Sequence, residues 1–442
     1  MGAVLTERAA PPPAALAWTV WGLGATLYLI AYYHRVAPAV MTQELSREFG
    51  LSAAALGNLS AFYFYSYVAV QIPTGLLADR FGPRRVLACG AALTTLGTVL
   101  FAMAPDVGYA MAGRLALGAA GGVAFVSMLK LASHWMPFRQ FAFVSGVALF
   151  MGVLGATIAG APLRMAVDAF GWRHVMLASA VVAAAAAVAI WLVARDDPSE
   201  RGFASYHGAD AGRPPMTIGA QLRAVLSHRN VWILFLLPGG LSCVALSFAG
   251  LWGVPYLVSQ HGFGTRAAAT VCSAMLLTWA VASMVFGPVS QRIGRRKPVF
   301  VGGLVATLVL WSIVVFVPVP AALLVPLLLL TAFTAGTFIV TFALARESVP
   351  AHLGGTAAGI ANMGVMLGGM VMQPLIGFML DAHWEGVVEN GARIYGASAY
   401  RWGFSLMLAW AALSLVLVAF SRESYCRAYG TGAGTRASSP GR

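Results

Sequence analysis

Charge is what this sequence has least of. Only 10% of its 442 residues are Asp, Glu, Lys or Arg, against 59% hydrophobic, and the mean hydropathy is +0.78. A water-soluble fold with so little charge could not cover its own surface, so lipid must be most of its solvent. Carboxylates are the scarcest charge: the 15 Asp and Glu all fall in loops, tails or span ends. The four cysteines, Cys89, Cys243, Cys272 and Cys426, lie far apart with no metal or redox spacing. They read as small packing residues within or beside apolar runs. No nucleophile–base pair, metal cluster or Walker-type phosphate loop is present, which argues against an enzyme, a bound cofactor and a metal site.

What the chain has instead is apolar length. A span needs roughly 20 apolar residues. Twelve stretches qualify, near 16–40, 53–77, 86–104, 107–135, 140–163, 172–194, 230–259, 266–289, 299–317, 321–345, 353–380 and 400–420. The first run is too long for a signal-peptide core and no small-residue cleavage pattern follows it. The polar stretch 195–229 divides six spans from six. The expected organisation is therefore a lead (1–15), a six-helix bundle (16–194), a linker (195–229), a second six-helix bundle (230–420) and a tail (421–442). The fold class is all-α and integral to the membrane.

A net charge of +13 would suit nucleic acid, but the placement of the cations argues otherwise. Of 28 Lys and Arg, 19 fall in the two termini and in the connections on one side. Six lie in the opposite loops, and three lie within spans: Arg35, Arg114 and Lys130. That bias is the positive-inside rule, and it places both termini in the cytoplasm of an inner membrane. No nucleic-acid partner is expected.

The connection after the second span reads GLLADRFGPRR, from Gly75 to Arg85, and a second copy reads GPVSQRIGRRK, from Gly287 to Lys297. Gly75 and Gly287, Arg80 and Arg292, Gly82 and Gly294, and Arg84 and Arg296 each stand 212 positions apart. Pro137 and Pro350, Gly155 and Gly368, and Asp168 and Asp381 continue the repeat at 213. Two six-span halves in parallel topology are a layout of rocking-bundle transporters.

GLLADRFGPRR resembles the signature loop of the major facilitator superfamily, and nearly the whole chain fits that architecture. The resemblance implies two pseudo-symmetric six-helix bundles working by alternating access. It implies that Asp79 sits against a helix N-terminus from the other half, where partial positive charge favours a carboxylate, and that Arg80, Arg84 and Arg85 close the cytoplasmic side. Gln291 replaces the aspartate in the second copy, so a weaker hold is expected there. Arg346 and Glu347, where the tenth span ends, read as a further gate or ion pair.

Ionisable groups inside a span mark a substrate or ion path by default. Arg35 shares a helix face with Gly24, Tyr28 and Ala31, with Tyr32 at its edge. A guanidinium beside phenolic hydroxyls suits an oxyanion, because Arg offers a planar fork of donors. Arg114 heads a second stripe, Gly118, Gly121, Phe125 and Met128, which other helices or a ligand can approach closely. Lys130 lies about 160° around that helix from Arg114 and is expected to reach the cytoplasmic surface or the other half.

Anion-carrying members of the superfamily often pair these arginines with acids; here the acidic positions hold His34 and Gly121. Three couplings stay open: a proton carried by His34, a proton brought by the substrate, and anion exchange. The repeat places Ser247 where glycerol-phosphate exchangers carry another arginine, which argues against a doubly charged phosphate ester. Asn362 joins Arg35, Arg114, Tyr28 and Tyr32 in the expected substrate site. The expected function is secondary transport of a small organic anion, a carboxylate or sulfonate, by proton-coupled uptake in a monomer. An exporter of drugs or siderophores and a transporter-like ligand sensor are the other readings of the same fold.

Overall fold

The computed structural model describes residues 10–206, 218–389, 391–427 and 429. Parts of the expected lead, linker and tail (1–9, 207–217 and 430–442) therefore lie outside the described residues.

Within them the chain is helical almost throughout. The long helices are α1 Ala14–Val36, α2 Ala53–Phe81, α3 Pro83–Ala102, α4 Val107–Trp135, α5 Phe141–Ile158 and α6 Trp172–Val193. After the linker come α7 Arg229–His261, α8 Thr265–Ile293, α9 Lys297–Phe316, α10 Ala321–Glu347, α11 Gly354–Ala382 and α12 Ala397–Phe420. Eleven of these regions are long and apolar enough to cross a membrane. The other, α2, has spanning length at 29 residues. Its Asn58, Ser60, Ser66, Gln71 and three alternating tyrosines lower its apolarity. A short antiparallel pair, Val388–Glu389 with Ala392–Arg393, lies between α11 and α12.

The chain divides into two compact units. Unit 1 holds residues 1–37 and 65–215, and unit 2 holds 38–64 and 216–442. Residues 38–64 group with unit 2 because the first turns of α2 pack directly on α11. Gly57 lies on the Gln373 carbonyl and Gly377 on the Ala53 carbonyl, so neither has room for a Cβ. Close backbone approach through glycine is how membrane helices pack without a hydrophobic driving force.

In unit 1, α1 packs against α4 and α5, while α3 packs against α4 and α6. The α3–α4 crossing is glycine on glycine, since a Cβ on Gly113 would meet the Gly97 carbonyl at 2.7 Å. In unit 2, α7 is irregular. It starts as an α-helix, passes through a π-helical segment at Val244–Trp252 and ends as α-helix Gly253–His261. In an apolar interior every displaced backbone group needs an internal partner. Here α11 supplies it: the Gln373 amide donates to the Leu246 carbonyl at 2.8 Å. In return, Ser242 Oγ, Ser247 Oγ and Trp252 Nε1 donate to the α11 carbonyls of Val365, Gly368 and Gln373 at 2.7, 2.6 and 3.1 Å.

Candidate substrate site and gates

Arg35 lies in the last turn of α1 and is 3% exposed. Its guanidinium stacks over the Tyr32 ring at 4.0 Å and stands 5.0 Å from the Tyr67 ring centroid. Desolvated cation–π contacts of this kind are worth about 2 kcal/mol each. The Tyr28 hydroxyl donates to that of Tyr32 at 3.1 Å. A buried cation, aromatic faces and a phenol pair thus gather on one side of α1, as the helical spacing predicts.

The two sequence stripes meet each other. A Cβ on Gly24 would touch Met128 at 3.4 Å, the Tyr28 and Phe125 rings lie 5.2 Å apart, and Arg114 Nη1 donates to the His34 carbonyl at 2.5 Å. The small face of α4 is therefore the α1–α4 contact. Tyr28 is 3% exposed and Gly152 of α5 closes over it and Tyr32.

Arg114 has a local cause. The His34 carbonyl would normally accept from the N–H four residues on, but that residue is Pro38, which has none. A buried carbonyl without a donor is costly, and Arg114, 1% exposed, supplies one. It holds the end of α1 beside Arg35. The His34 ring is 1% exposed and its Nε2 lies 3.2 Å from Thr98 Oγ1 on α3. Asn362 sits half-buried on α11 in unit 2. On that unit Trp279 stacks on Phe338 at 4.3 Å, and its buried Nε1 has no hydrogen-bond acceptor among the described residues.

The residues expected at the gates separate into two groups. Asp79 is 73% exposed and its carboxylate accepts from Lys130 at 2.6 Å, within unit 1. Arg80 and Arg85 are exposed. Arg84 folds back on α6, donating to the Trp191 carbonyl at 2.6 Å. Glu347 pairs with Arg296 at 2.7 Å, not with its neighbour Arg346, which is exposed. Arg296 is 6% exposed and donates to Ser290, Gln291 and Glu347, each at 2.7 Å.

One feature beyond the expected site is Asp381 at the end of α11. It accepts from the first N–H groups of α2, Ala53 at 3.1 Å and Ala54 at 2.8 Å, and from the Tyr395 hydroxyl at 2.7 Å. A helix N-terminus meeting a carboxylate is electrostatically favourable. Its repeat partner Asp168 is spent on Arg164 one turn away, within its own helical segment. The register match of the two aspartates was visible in the sequence, while the partner of Asp381, 327 residues away, was not.

These helices, with their internal repeat and intramembrane arginines, define a multi-pass membrane transport protein rather than an enzyme. The profile of the Major Facilitator Superfamily matches residues 21–273 and 239–433, and the chain belongs to that family. It is similar to the probable sulfoacetate transporter SauU of Cupriavidus necator, 25% identical over 82% of this chain and 87% of that protein. It is also similar to the gentisate transporter of Corynebacterium glutamicum, 24% identical over 83% and 82%. The fold matches the crystal structure of a bacterial homologue of the human lysosomal transporter Spinster. The TM-score is 0.76, with 16% identity and coverage of 94% of this chain and 98% of that one.

Proposed function

We propose that this transporter takes up a small organic anion, a carboxylate or sulfonate, by proton symport across an inner membrane, with both termini cytoplasmic. The observation that carries the reading is Arg35, a guanidinium 3% exposed and seated between two tyrosine faces beside a phenol pair. A desolvated cation in a span favours negative cargo. No span carries a carboxylate near its middle to compete for it. The names of the relatives, sulfoacetate and gentisate transporters, agree in charge and size class.

Arg35 binds the anionic head, and Tyr28 and Tyr32 its acceptor oxygens. Arg114 holds the end of α1 in place and offers its other donors to the same charge. His34, adjacent in sequence to Arg35, carries the coupling proton. Asp79, Arg80 and Arg85, exposed at the end of α2 and the start of α3, close the cytoplasmic side with Arg84, and Arg346 and Glu347 act at the end of α10. The transporter works as a monomer.

A thermal-shift screen of carboxylates and sulfonates on the purified protein tests the site. Sulfoacetate or gentisate should raise the melting temperature of wild type and not of Arg35→Ala. A lipophilic cation that stabilises both proteins equally, with no response to any anion, would overturn the reading in favour of an exporter.

A further inference from the structure

A cavity of about 730 Å³ opens at the end of unit 2 where α7 begins and α12 ends. It shares no residue with the substrate site proposed above. Its walls carry Arg229, Arg422 and Arg427 together with Glu347 and Glu423. The two carboxylates are already committed. Glu347 accepts from Arg296 at 2.7 Å and from Ser424 Oγ at 2.5 Å. Glu423 caps the start of α9, accepting from the N–H groups of Arg296 and Lys297 at 2.9 Å each.

The three arginines form no ion pair among the described residues. The balance at the cavity is therefore positive. The first turn of α7 adds to it: His228 gives that helix start, which carries partial positive charge, no side-chain cap, and His228, Arg229 and Asn230 line the cavity. Asn230 braces the walls, its amide donating to Ser348 Oγ at 2.6 Å and accepting from the Arg422 N–H at 3.0 Å. One wall is apolar: Phe420, 59% exposed, lines the cavity. One turn into α7, Trp232 is 52% exposed with its Nε1 donating to Leu226, the posture of a side chain at a headgroup boundary.

We infer that this cavity binds a phosphate oxyanion, presented by an anionic phospholipid headgroup or by a soluble phosphate. Three guanidinium forks match phosphate oxygens in geometry and charge, and basic pockets between helix ends are where membrane proteins hold such groups. Phe420 would meet a lipid's glycerol or upper acyl carbons.

The experiment compares wild type with Arg229→Gln/Arg422→Gln/Arg427→Gln in two arms. In the first, each is reconstituted in nanodiscs of phosphatidylcholine with phosphatidylglycerol, and retained lipid is read by native mass spectrometry. In the second, inorganic phosphate is titrated onto detergent-solubilised protein against chloride at equal ionic strength, with the melting temperature as readout. Phosphatidylglycerol held by wild type and weakened about a hundredfold in the variant supports a lipid source. A phosphate-induced shift lost in the variant, with no lipid held, supports a soluble source. Equal responses from both proteins, or none from wild type in either arm, overturn the inference. The triple lysine variant keeps the charge and should recover binding, which separates lost charge from lost fold. If the glutamine protein is not monodisperse, Arg427→Gln alone, at an exposed position, carries the same comparison.

Discussion

In the first copy of the charged turn, Gly82 at φ 82° carries the chain from α2 into α3, and Asp79 stands 73% exposed beside Lys130. In the second, Gly294 at φ 72° ends α8, but Arg296 is buried and bonded to Ser290, Gln291 and Glu347. The turns differ in ψ, 149° at Gly82 and 13° at Gly294. Each copy nonetheless has a glycine at positive φ, and in each a carboxylate just after the last helix of that half caps the next helix. Asp196 binds the Arg84 N–H at 2.6 Å, and Glu423 binds the Arg296 and Lys297 N–H groups. The side chains have diverged. The second copy spends its charges inside its own unit as a fastener, while the first leaves Asp79 and Arg80 exposed.

Removing charge from each copy should separate those roles. Glu347→Ala strands the buried Arg296 guanidinium and should cost about 3 kcal/mol, read as a large fall in melting temperature. Asp79→Ala breaks only an exposed pair, so stability should change by less than about 1 kcal/mol while transport falls. Equal losses of stability would erase the distinction. The glycines sharpen it further. Alanine at either forces a left-handed backbone costing about 1–2 kcal/mol. At Gly82 the new Cβ also strikes the Asp196 carboxylate, whereas at Gly294 it meets nothing within 4 Å. Gly82→Ala should therefore melt lower than Gly294→Ala in the same detergent.

The smallest effect is a pH dependence. Burial raises the Asp196 carboxyl above its usual range, against the lowering influence of the Arg84 N–H. A carboxyl raised on folding adds stability that is full below its unfolded value and lost as pH rises through the folded one. The melting temperature of wild type relative to Asp196→Asn should thus improve as pH falls through the window just above the ordinary carboxylate range. A difference that stays flat or reverses would show that Asp196 is not held as described.

Helix positions and the repeat were legible because apolar length and paired Gly, Arg and Pro positions are local signals. The tyrosine–arginine face of α1 followed from helical spacing. Spacing says which residues share a face, however, and not what the face meets. The small face of α4 was open in the sequence to another helix or to a ligand, and the Tyr28–Phe125 and Gly24–Met128 contacts give it to α1. The bond from Arg114 to the His34 carbonyl had a sequence cause, Pro38, but the two ends lie 80 residues apart. Gln291, the uncharged position of the second loop copy, accepts from Arg296 five residues on, a partner that spacing alone does not reveal.

The central claim is that Arg35 holds the cargo's negative charge. Counterflow of radiolabelled sulfoacetate or gentisate in proteoliposomes tests it most directly, comparing wild type, Arg35→Lys and Arg35→Ala at matched reconstitution. Exchange should fall at least about tenfold in the alanine variant, with partial recovery by lysine, as expected for loss of a charge-assisted hydrogen bond. Anion exchange that proceeds at the wild-type rate in Arg35→Ala would contradict the account.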